Sequence, residues 1–128
     1  MPQLIPHLLL RSDNLSSETA IVLRDAGYHV TKIRDDDSAL RSLSLLAIDG
    51  VVVELPVVAA VTFLRRFHAA GAAVPLLALT VAPDVLRRSA GDIATYDLRN
   101  GRADLVSATD LLLARFEEEE RARLRNAS

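Results

Sequence analysis

The chain has 128 residues, of which 50% are hydrophobic, and it carries a formal net charge of -2. This length supports one domain with a buried core, and the near-neutral charge gives no basic surface for nucleic acid. The absence of cysteine excludes disulfides, thiolate catalysis and zinc–thiolate sites, and it is compatible with a reduced, cytoplasmic location. The longest uncharged stretch, 69–83, is broken by Gly71 and Pro75 and is shorter than the ~20 residues that span a bilayer, so we expect no membrane contact.

The first half of the chain alternates apolar runs with helical segments. Residues 4–10 predict a strand, and Asp13, Ser16 and Ser17 are candidate N-caps for a helix that ends at Gly27. Residues 28–33 are rich in side chains that favour strands, and polar and apolar positions alternate there as they do in a strand. The acidic residues 35–37 begin a second helix, where the helix dipole favours negative charge. Residues 49–54 contain three consecutive valines, which is typical of a strand buried on both faces of a parallel sheet.

The second half continues the alternation. Residues 57–70 have helical spacing, 74–80 predict a strand, 84–90 a short helix and 93–98 a fifth strand. A long final helix begins near Ala103. Its apolar stripe consists of Leu105, Ala108, Leu112 and Phe116. Strands that alternate with helices over short connections predict a five-stranded, doubly wound parallel sheet with helices on both faces.

The end of the final helix differs from the rest in composition. The four acids from Glu117 to Glu120 are followed at helical spacing by Arg121 and Arg123, which supports a helix that needs no core. We therefore assign residues 1–116 to one domain and 117–128 to a charged helical extension or linker. This extension is either a solvated tail or a lead into a downstream module or a dimer seam.

Glu54 is the most informative single residue. It closes the valine-rich run, and open parallel sheets place their chemistry at the carboxyl ends of their strands. Removing a carboxylate from water costs several kcal/mol unless partners compensate for it. Glu54 therefore either points to water at the strand end or takes part in a site.

The order of several motifs resembles the receiver domains of bacterial response regulators. The stretch from Leu23 to Val30 resembles the family's first helix and second strand, and 49–56 resembles the strand that carries its phospho-accepting aspartate. Thr80 closes a fourth strand as the family's Ser/Thr does, Tyr96 stands at its switch aromatic, and Arg99 stands at its lysine. The resemblance covers the whole chain and implies a flavodoxin-like (CheY-like) sheet of strand order 2-1-3-4-5.

The departures from that pattern carry the functional hypothesis. Ser12 replaces one acid of the pair that holds Mg²⁺ in the family and leaves Asp13 alone, and Glu54 replaces the phospho-acceptor. Losing one carboxylate weakens a magnesium site, and a nucleophile displaced by ~1 Å can lose ~10²-fold in rate. We therefore expect an atypical pseudo-receiver that has no catalytic residues, metal or cofactor and is not an enzyme.

The degenerate phospho-acceptor site has an expected arrangement. We expect Thr80 and Arg99 to hold Glu54 by a hydrogen bond and an ion pair, although Arg99 can equally be a surface residue. Arg11 is expected to reach solvent, with a fixed cation beside Asp13 as the alternative. Tyr96 is either the switch aromatic or half-buried core packing.

Other candidate chemistry is weak. His7, His29 and His68 fall on different elements without ligand spacing, and the three acids 35–37 are interpreted as a solvated helix cap. No glycine-rich phosphate loop or nucleophile elbow follows any strand.

Three functions follow from these patterns. The first is a phosphorylation-independent signalling domain that binds a protein partner, a second copy of itself or an output domain covalently linked outside this chain. The family resemblance implies an interaction face on the fourth helix, fifth strand and fifth helix, for which we name Arg87, Arg88, Asp97 and Asp110. The second is a receiver that is still phosphorylated, with Asp13 and Glu54 sharing a metal ion. The third is a ligand-binding domain or small enzyme on a flavodoxin-like scaffold.

Overall fold

The computed structural model describes residues 5–14 and 17–126. Five strands alternate with five helices along these ranges. The strands are β1 His7–Ser12, β2 His29–Ile33, β3 Gly50–Glu54, β4 Leu76–Thr80 and β5 Ala94–Asp97. The helices are α1 Glu18–Asp25, α2 Asp36–Leu45, α3 Val57–Ala69, α4 Pro83–Ala90 and α5 Leu105–Asn126, and a single 3-10 turn, Leu98–Asn100, lies between β5 and α5.

The strands form one parallel sheet of order β2-β1-β3-β4-β5. This confirms the predicted doubly wound fold and the strand order. The first strand is the least accurate prediction, because it begins at His7 rather than at residue 4 and runs on to Ser12. Residues 1–4 lie outside the described ranges.

Helix boundaries follow local capping chemistry. The Ser17 hydroxyl accepts a hydrogen bond from the Ala20 N–H at 3.2 Å and caps α1, and the Asp35 carboxylate accepts from the Ser38 N–H at 2.8 Å and caps α2. Gly27 follows α1 with a φ of 101°, a conformation that glycine adopts without the steric cost of a side chain. Of the three candidate caps for α1, Ser17 is the one used. Ser16 lies outside the described residues.

The pleat of the sheet divides the core into two layers. Val51 and Val53 of β3 pack with Phe63 and Leu64 beneath α2 and α3, whereas Val52 packs with the opposite cluster beneath α1 and α5. All three valines are at most 1% exposed. The central strand is therefore covered on both faces, as its sequence predicts.

Helix α5 runs antiparallel to the strands and continues beyond the sheet. Leu105 and Thr109 are buried, Ala108 and Leu112 pack against the core, and Phe116 is partly buried. No break separates 116 from 117, because one helix covers both positions. The proposed domain boundary at that point stays a prediction.

Candidate functional site at the carboxyl edge of the sheet

The ends of β1, β3 and β4 meet at one edge of the sheet. Ser12 is the register partner of Glu54, which in turn pairs with Leu79, one residue before Thr80. An open pocket of about 390 Å³ lies at this edge, and Asp13, Glu54 and Thr80 are among the residues that line it. The structure thus brings most of the expected site residues to one place.

Glu54 turns toward α1 and α5. Val52, two residues earlier, belongs to the layer beneath those helices, and side chains of a strand alternate between its faces. One carboxylate oxygen, Oε2, lies 2.7 Å from Nη2 of Arg102, and the Ser17 hydroxyl stands 3.5 Å from Oε1. The Glu54 side chain is 9% exposed. Glu54 therefore does not point to water but forms an ion pair that is largely shielded from it.

Arg102 is the central cation of the site, and sequence reasoning missed it. Its Nε donates to the Thr19 hydroxyl at 2.9 Å and its Nη1 to Glu18 at 3.0 Å, in addition to the bond to Glu54. One guanidinium therefore ties the β5–α5 connection to the start of α1 and to the end of β3. The sequence pointed to Arg102 through its position, because it lies in the same connection as Arg99, three residues further on.

Arg99 does not reach Glu54, so the expected pairing is wrong. Its guanidinium binds both carboxylate oxygens of Asp97 at 2.6–3.0 Å. Asp97 caps the 3-10 turn by accepting from the Arg99 N–H at 2.9 Å, which holds the two side chains together. Hydrogen bonds from the Arg99 side chain and backbone lower the pKa of Asp97 to about 2. The Arg99 side chain is 62% exposed and stabilises the 3-10 turn through Asp97.

Thr80 does not bind Glu54 either. Leu77 and Leu79 pack beneath α1 and α5 and Ala78 on the other face, so the alternation directs Thr80 away from the Glu54 side. Its hydroxyl accepts from the Ala82 N–H at 3.0 Å, at the start of α4. Thr80 is buried and lines the pocket, but on the side opposite the ion pair.

Ser12 and Asp13 differ in burial. Ser12 is fully buried, and its hydroxyl accepts from the Asn14 N–H at 3.2 Å, whereas the Asp13 side chain is 61% exposed. Arg11 donates to Asp13 at 3.0 Å and to Asp36 at 2.7 Å. The expectation that Arg11 reaches solvent is therefore wrong: the residue is 7% exposed and places a fixed cation beside Asp13.

The charge balance around Arg11 explains its burial. Burial by itself lowers the pKa of Arg11, but hydrogen bonds to Asp36 and Asp13 outweigh that effect, so its pKa is raised. Asp36 also lies 3.8 Å from Arg66 of α3. Asp36 and Asp37 therefore do more than form a solvated cap, because they join β1, α2 and α3 through ion pairs.

Comparison with solved structures identifies the architecture. A receiver domain from Methanospirillum hungatei superposes with a TM-score of 0.72 at 17% identity, over 90% of this chain and 98% of the other. The fold is that of a response-regulator receiver domain. The receiver domain of an HD-domain protein from Pseudomonas fluorescens matches with a TM-score of 0.69 at 19% identity, over 94% of this chain and 96% of the other.

A third matched structure contains a metal ion. The receiver domain of a sensor histidine kinase from Pseudomonas aeruginosa, which has a magnesium ion in its active-site cleft, matches with a TM-score of 0.65 at 24% identity, over 87% of this chain and 99% of the other. No family model and no curated protein matches the chain. The similarity is thus one of fold, and the chemistry of the site must be argued from its own residues.

The residues at the receiver-fold cleft do not fit a magnesium site. Mg²⁺ requires anionic oxygens in octahedral geometry, but Asp13 is paired with Arg11, Glu54 is paired with Arg102, and Ser12 supplies no carboxylate. Within 5–14 and 17–126, no group of three or more His, Asp or Glu side chains is arranged to hold a metal ion. Over the same residues, no helix is long and apolar enough to cross a membrane.

Tyr96, the expected switch aromatic, lies on β5. Its ring packs against the layer beneath α1 and α5, and its hydroxyl donates to the Gly101 carbonyl at 2.8 Å. The side chain is therefore half-buried and tethered to the connection that carries Arg102. Its role as a switch stays a prediction.

The four residues named for an interaction face do not all share it. Arg87 of α4 donates to Asp84 at 2.7 Å and to Thr95 of β5 at 2.9 Å, and Arg88 donates to the Asp84 carbonyl at 3.3 Å. Asp97 is held by Arg99.

Asp110 accepts a hydrogen bond from the Tyr28 hydroxyl, which places it on the α1 side of α5. Arg115, which was not predicted, lines a groove on this face together with Arg87.

Proposed function

We propose that this chain is a signal-transduction domain of the receiver type that works without phosphorylation and acts through contact with a protein. The observation that carries the proposal is the ion pair between Glu54 and Arg102, at 2.7 Å and 9% exposure of the Glu54 side chain. In this pair Arg102 neutralises the Glu54 carboxylate from within the chain. An acidic site at a strand end otherwise obtains that neutralising charge from a metal ion.

The geometry of Glu54 supports the loss of phosphoryl transfer. An acceptor carboxylate needs one free oxygen in line with the phosphoryl donor and a metal ion to neutralise the developing charge. Here Oε2 is engaged by Arg102 and Oε1 faces Ser17 at the start of α1. Asp13, the other carboxylate that lines the pocket, is paired with Arg11. Both arginines would repel an incoming metal cation.

The same contacts support a fixed rather than a switchable conformation. Arg102 lies in the connection whose Gly101 carbonyl accepts the Tyr96 hydroxyl, so the ion pair and the aromatic ring restrain one short segment. Phosphorylation normally acts by adding charge that such groups can bind. A carboxylate already in place makes that added charge unnecessary.

The α4–β5–α5 face supports the choice of a protein partner. A groove of about 310 Å³ runs between Arg87 and Arg115, and the 52% exposed Leu111 lies in it. Apolar grooves flanked by arginines suit acidic, amphipathic partners, because aromatic residues and arginines dominate interface energies. A cytoplasmic location and a linked output domain are parts of the same proposal.

The proposal is tested with a small phosphodonor. The wild-type protein is incubated with acetyl phosphate and Mg²⁺, and its intact mass is measured beside the double variant Ser12→Asp, Glu54→Asp, which restores both acids. We expect no phosphoryl adduct on the wild type. Labelling of the wild type as readily as the double variant contradicts the proposal and favours a phosphorylated receiver.

A matched control separates reactivity from folding. Glu54→Gln keeps the shape and removes the charge, so any adduct that persists in this variant lies elsewhere on the chain. Binding of the beryllofluoride mimic to the wild type, seen as chemical-shift changes at Thr80 and Glu54, would also contradict the proposal. Saturable binding of a small molecule in the pocket beside Glu54 would favour the ligand-binding alternative.

A further inference from the structure

Helix α5 carries an exposed stripe that runs from the groove of the α4–β5–α5 face onto the extension beyond residue 116. Steps of four, three and four residues keep four side chains on one face of the helix. These residues, which we call the α5 stripe, are Leu111, Arg115, Glu118 and Ala122. Leu111 is 52% exposed, and Arg115 and Glu118 are exposed as well. The α5 stripe is thus open to a partner both beside the sheet and beyond it.

The charges on the α5 stripe are unpaired, whereas neighbouring glutamates of the extension are paired. Glu117 and Glu120 each bind an arginine one turn further along α5, at 2.6–2.7 Å. Over residues 5–14 and 17–126, neither Arg115 nor Glu118 forms an ion pair within 4.0 Å. The order along the chain accounts for the difference, because an acid that precedes its cation pairs better within a helix than the reverse. Arg115 and Glu118 are therefore available to another molecule.

The α5 stripe is its own complement when it is read in the opposite direction. Leu111 and Ala122 form its outer pair and Arg115 and Glu118 its inner pair, and both pairs are centred on the start of the extension. A two-fold axis at that point, perpendicular to the helix, places Leu111 opposite Ala122 of the other copy and Arg115 opposite its Glu118. Parallel helices in register would instead set Arg115 against Arg115 and Glu118 against Glu118. The charge pattern thus selects an antiparallel pair.

The groove of the α4–β5–α5 face suits this partner. It has a volume of about 310 Å³ and lies beside Leu111, with Arg87 and Arg115 in its lining. Antiparallel pairing lays the first turns of the other copy's extension along this groove. Those turns carry four consecutive glutamates, of which Glu118 and Glu119 are exposed. A second copy therefore brings the acidic helical segment that complements a groove flanked by arginines.

We infer that two copies of this chain pair through antiparallel α5 helices, with Leu111 of each against Ala122 of the other and Arg115 against Glu118. This inference names the partner of the α4–β5–α5 face, and it rests on the proposed function only in that this face binds a protein. The contact is short, roughly 17 Å along the helix, so the dimer is weak and its charged pairs make it sensitive to salt. The oligomeric state and the reaction with acetyl phosphate are separate measurements, so either can fail without the other.

The first test is disulfide cross-linking, for which a chain with no native cysteine is well suited. Leu111→Cys and Ala122→Cys are purified separately, mixed and oxidised, and intact mass distinguishes the heterodimer from the two homodimers. We expect the heterodimer at the higher yield. On antiparallel helices the two copies of position 111 lie roughly 17 Å apart, beyond the ~7 Å that a disulfide tolerates between Cα atoms.

A third cysteine variant is the matched control for the cross-linking. Leu124 is 69% exposed and lies on the same extension, but two residues from Ala122, and therefore on the other side of the helix. Leu124→Cys mixed with Leu111→Cys should give less heterodimer than Ala122→Cys does. Equal yields from the two mixtures, or a higher yield of homodimer from Leu111→Cys alone, as parallel pairing requires, would overturn the inference.

The second test is sedimentation of charge variants at low and moderate salt. Arg115→Glu sets glutamates against each other at two equivalent places and should raise the dimer dissociation constant by ~5-fold or more, and Glu118→Arg should do the same with arginines. An equimolar mixture of these two variants restores opposite charges across the axis and should associate more tightly than either variant alone. Arg123→Glu makes the same change of charge off the α5 stripe and should have a smaller effect.

Three results of the sedimentation experiment would overturn the inference. The first is a wild type that stays monomeric at protein concentrations up to ~1 mM. The second is a dimer that Arg123→Glu weakens as much as Arg115→Glu does. The third is a mixture of Arg115→Glu and Glu118→Arg that associates no better than the separate variants.

Discussion

Glu54 and Arg102 are 48 residues apart in the chain and form an ion pair of 2.7 Å between Oε2 and Nη2. The pair joins the end of the central strand to the connection between β5 and α5. Because Arg102 also donates to Glu18 and Thr19 at the start of α1, three segments depend on one guanidinium. The structural consequences of this relationship can be measured directly.

Replacing Arg102 should be far more costly than replacing Arg99. Arg102→Ala leaves the Glu54 carboxylate, 9% exposed, without its main partner, and loss of a hydrogen bond to a charged group costs about 1.5–3 kcal/mol. Arg99→Ala removes an exposed contact to Asp97 and should change stability far less, as ordinary surface substitutions do. Urea unfolding of both variants provides the comparison. Equal losses of stability in Arg102→Ala and Arg99→Ala would mean that the Glu54–Arg102 ion pair has no special role.

The double variant Arg102→Ala, Glu54→Leu tests whether the cost arises from the unpaired charge. Replacing both partners by apolar groups removes the buried carboxylate, so this variant should recover much of the stability that Arg102→Ala loses. A double variant as unstable as the single one would indicate that the contacts of Arg102 with Thr19 and Glu18 carry the effect. The ring NMR signals of Tyr96 report on the same connection in each variant.

The contrast between Arg99 and Arg102 shows how far the sequence predicts this site. Periodicity predicted the strands and the position of Glu54 at a strand end, because burial on two faces leaves a strong pattern. The resemblance to receiver domains implied the strand order. The choice between two arginines three residues apart depends on the 3-10 turn and on Asp97 capping it, which no pattern in the sequence indicates. Arg11 was misjudged for a related reason, since its burial depends on Asp36 of a different element.

The Arg11 network predicts a second large effect. Arg11→Met removes a guanidinium that is 7% exposed and leaves Asp36, whose side chain is 17% exposed, with only Arg66 at 3.8 Å. We expect a loss of about 1–3 kcal/mol in the free energy of unfolding, the penalty for a buried polar group left unsatisfied. Asp13→Asn, which alters the exposed partner of the same arginine, is the control and should change stability by less. A similar loss in both variants would mean that Asp13, not Asp36, anchors Arg11.

Magnesium should have no specific effect on this protein. Arg11 and Arg102 already neutralise the two carboxylates nearest the pocket, so a metal ion would have to displace both cations. Titration with Mg²⁺ followed by amide chemical shifts should show no saturation below ~1 mM at Asp13 or Glu54, the concentration range of a functional site. The variant Ser12→Asp, Arg102→Gln adds an acid and removes a cation, and it should gain affinity. Saturation in the wild type would contradict the assignment of these arginines.

The stacked pair His7 and His29 predicts a loss of stability in mild acid. The rings lie 4.2 Å apart, parallel to within 8°, on the neighbouring strands β1 and β2. Burial and then the charge of His29 lower the pKa of His7, and Asp49 opposes them only in part. Because the unfolded chain binds a proton at His7 more readily, the folded state is penalised as the pH falls below ~6.5, and there is no penalty above it.

Urea unfolding at pH 7.5 and 5.5 measures the difference. His29→Gln removes the neighbouring charge and should reduce the pH dependence, whereas His68→Gln, on α3, should leave it as in the wild type. A pH dependence unchanged by His29→Gln would assign the effect to other groups.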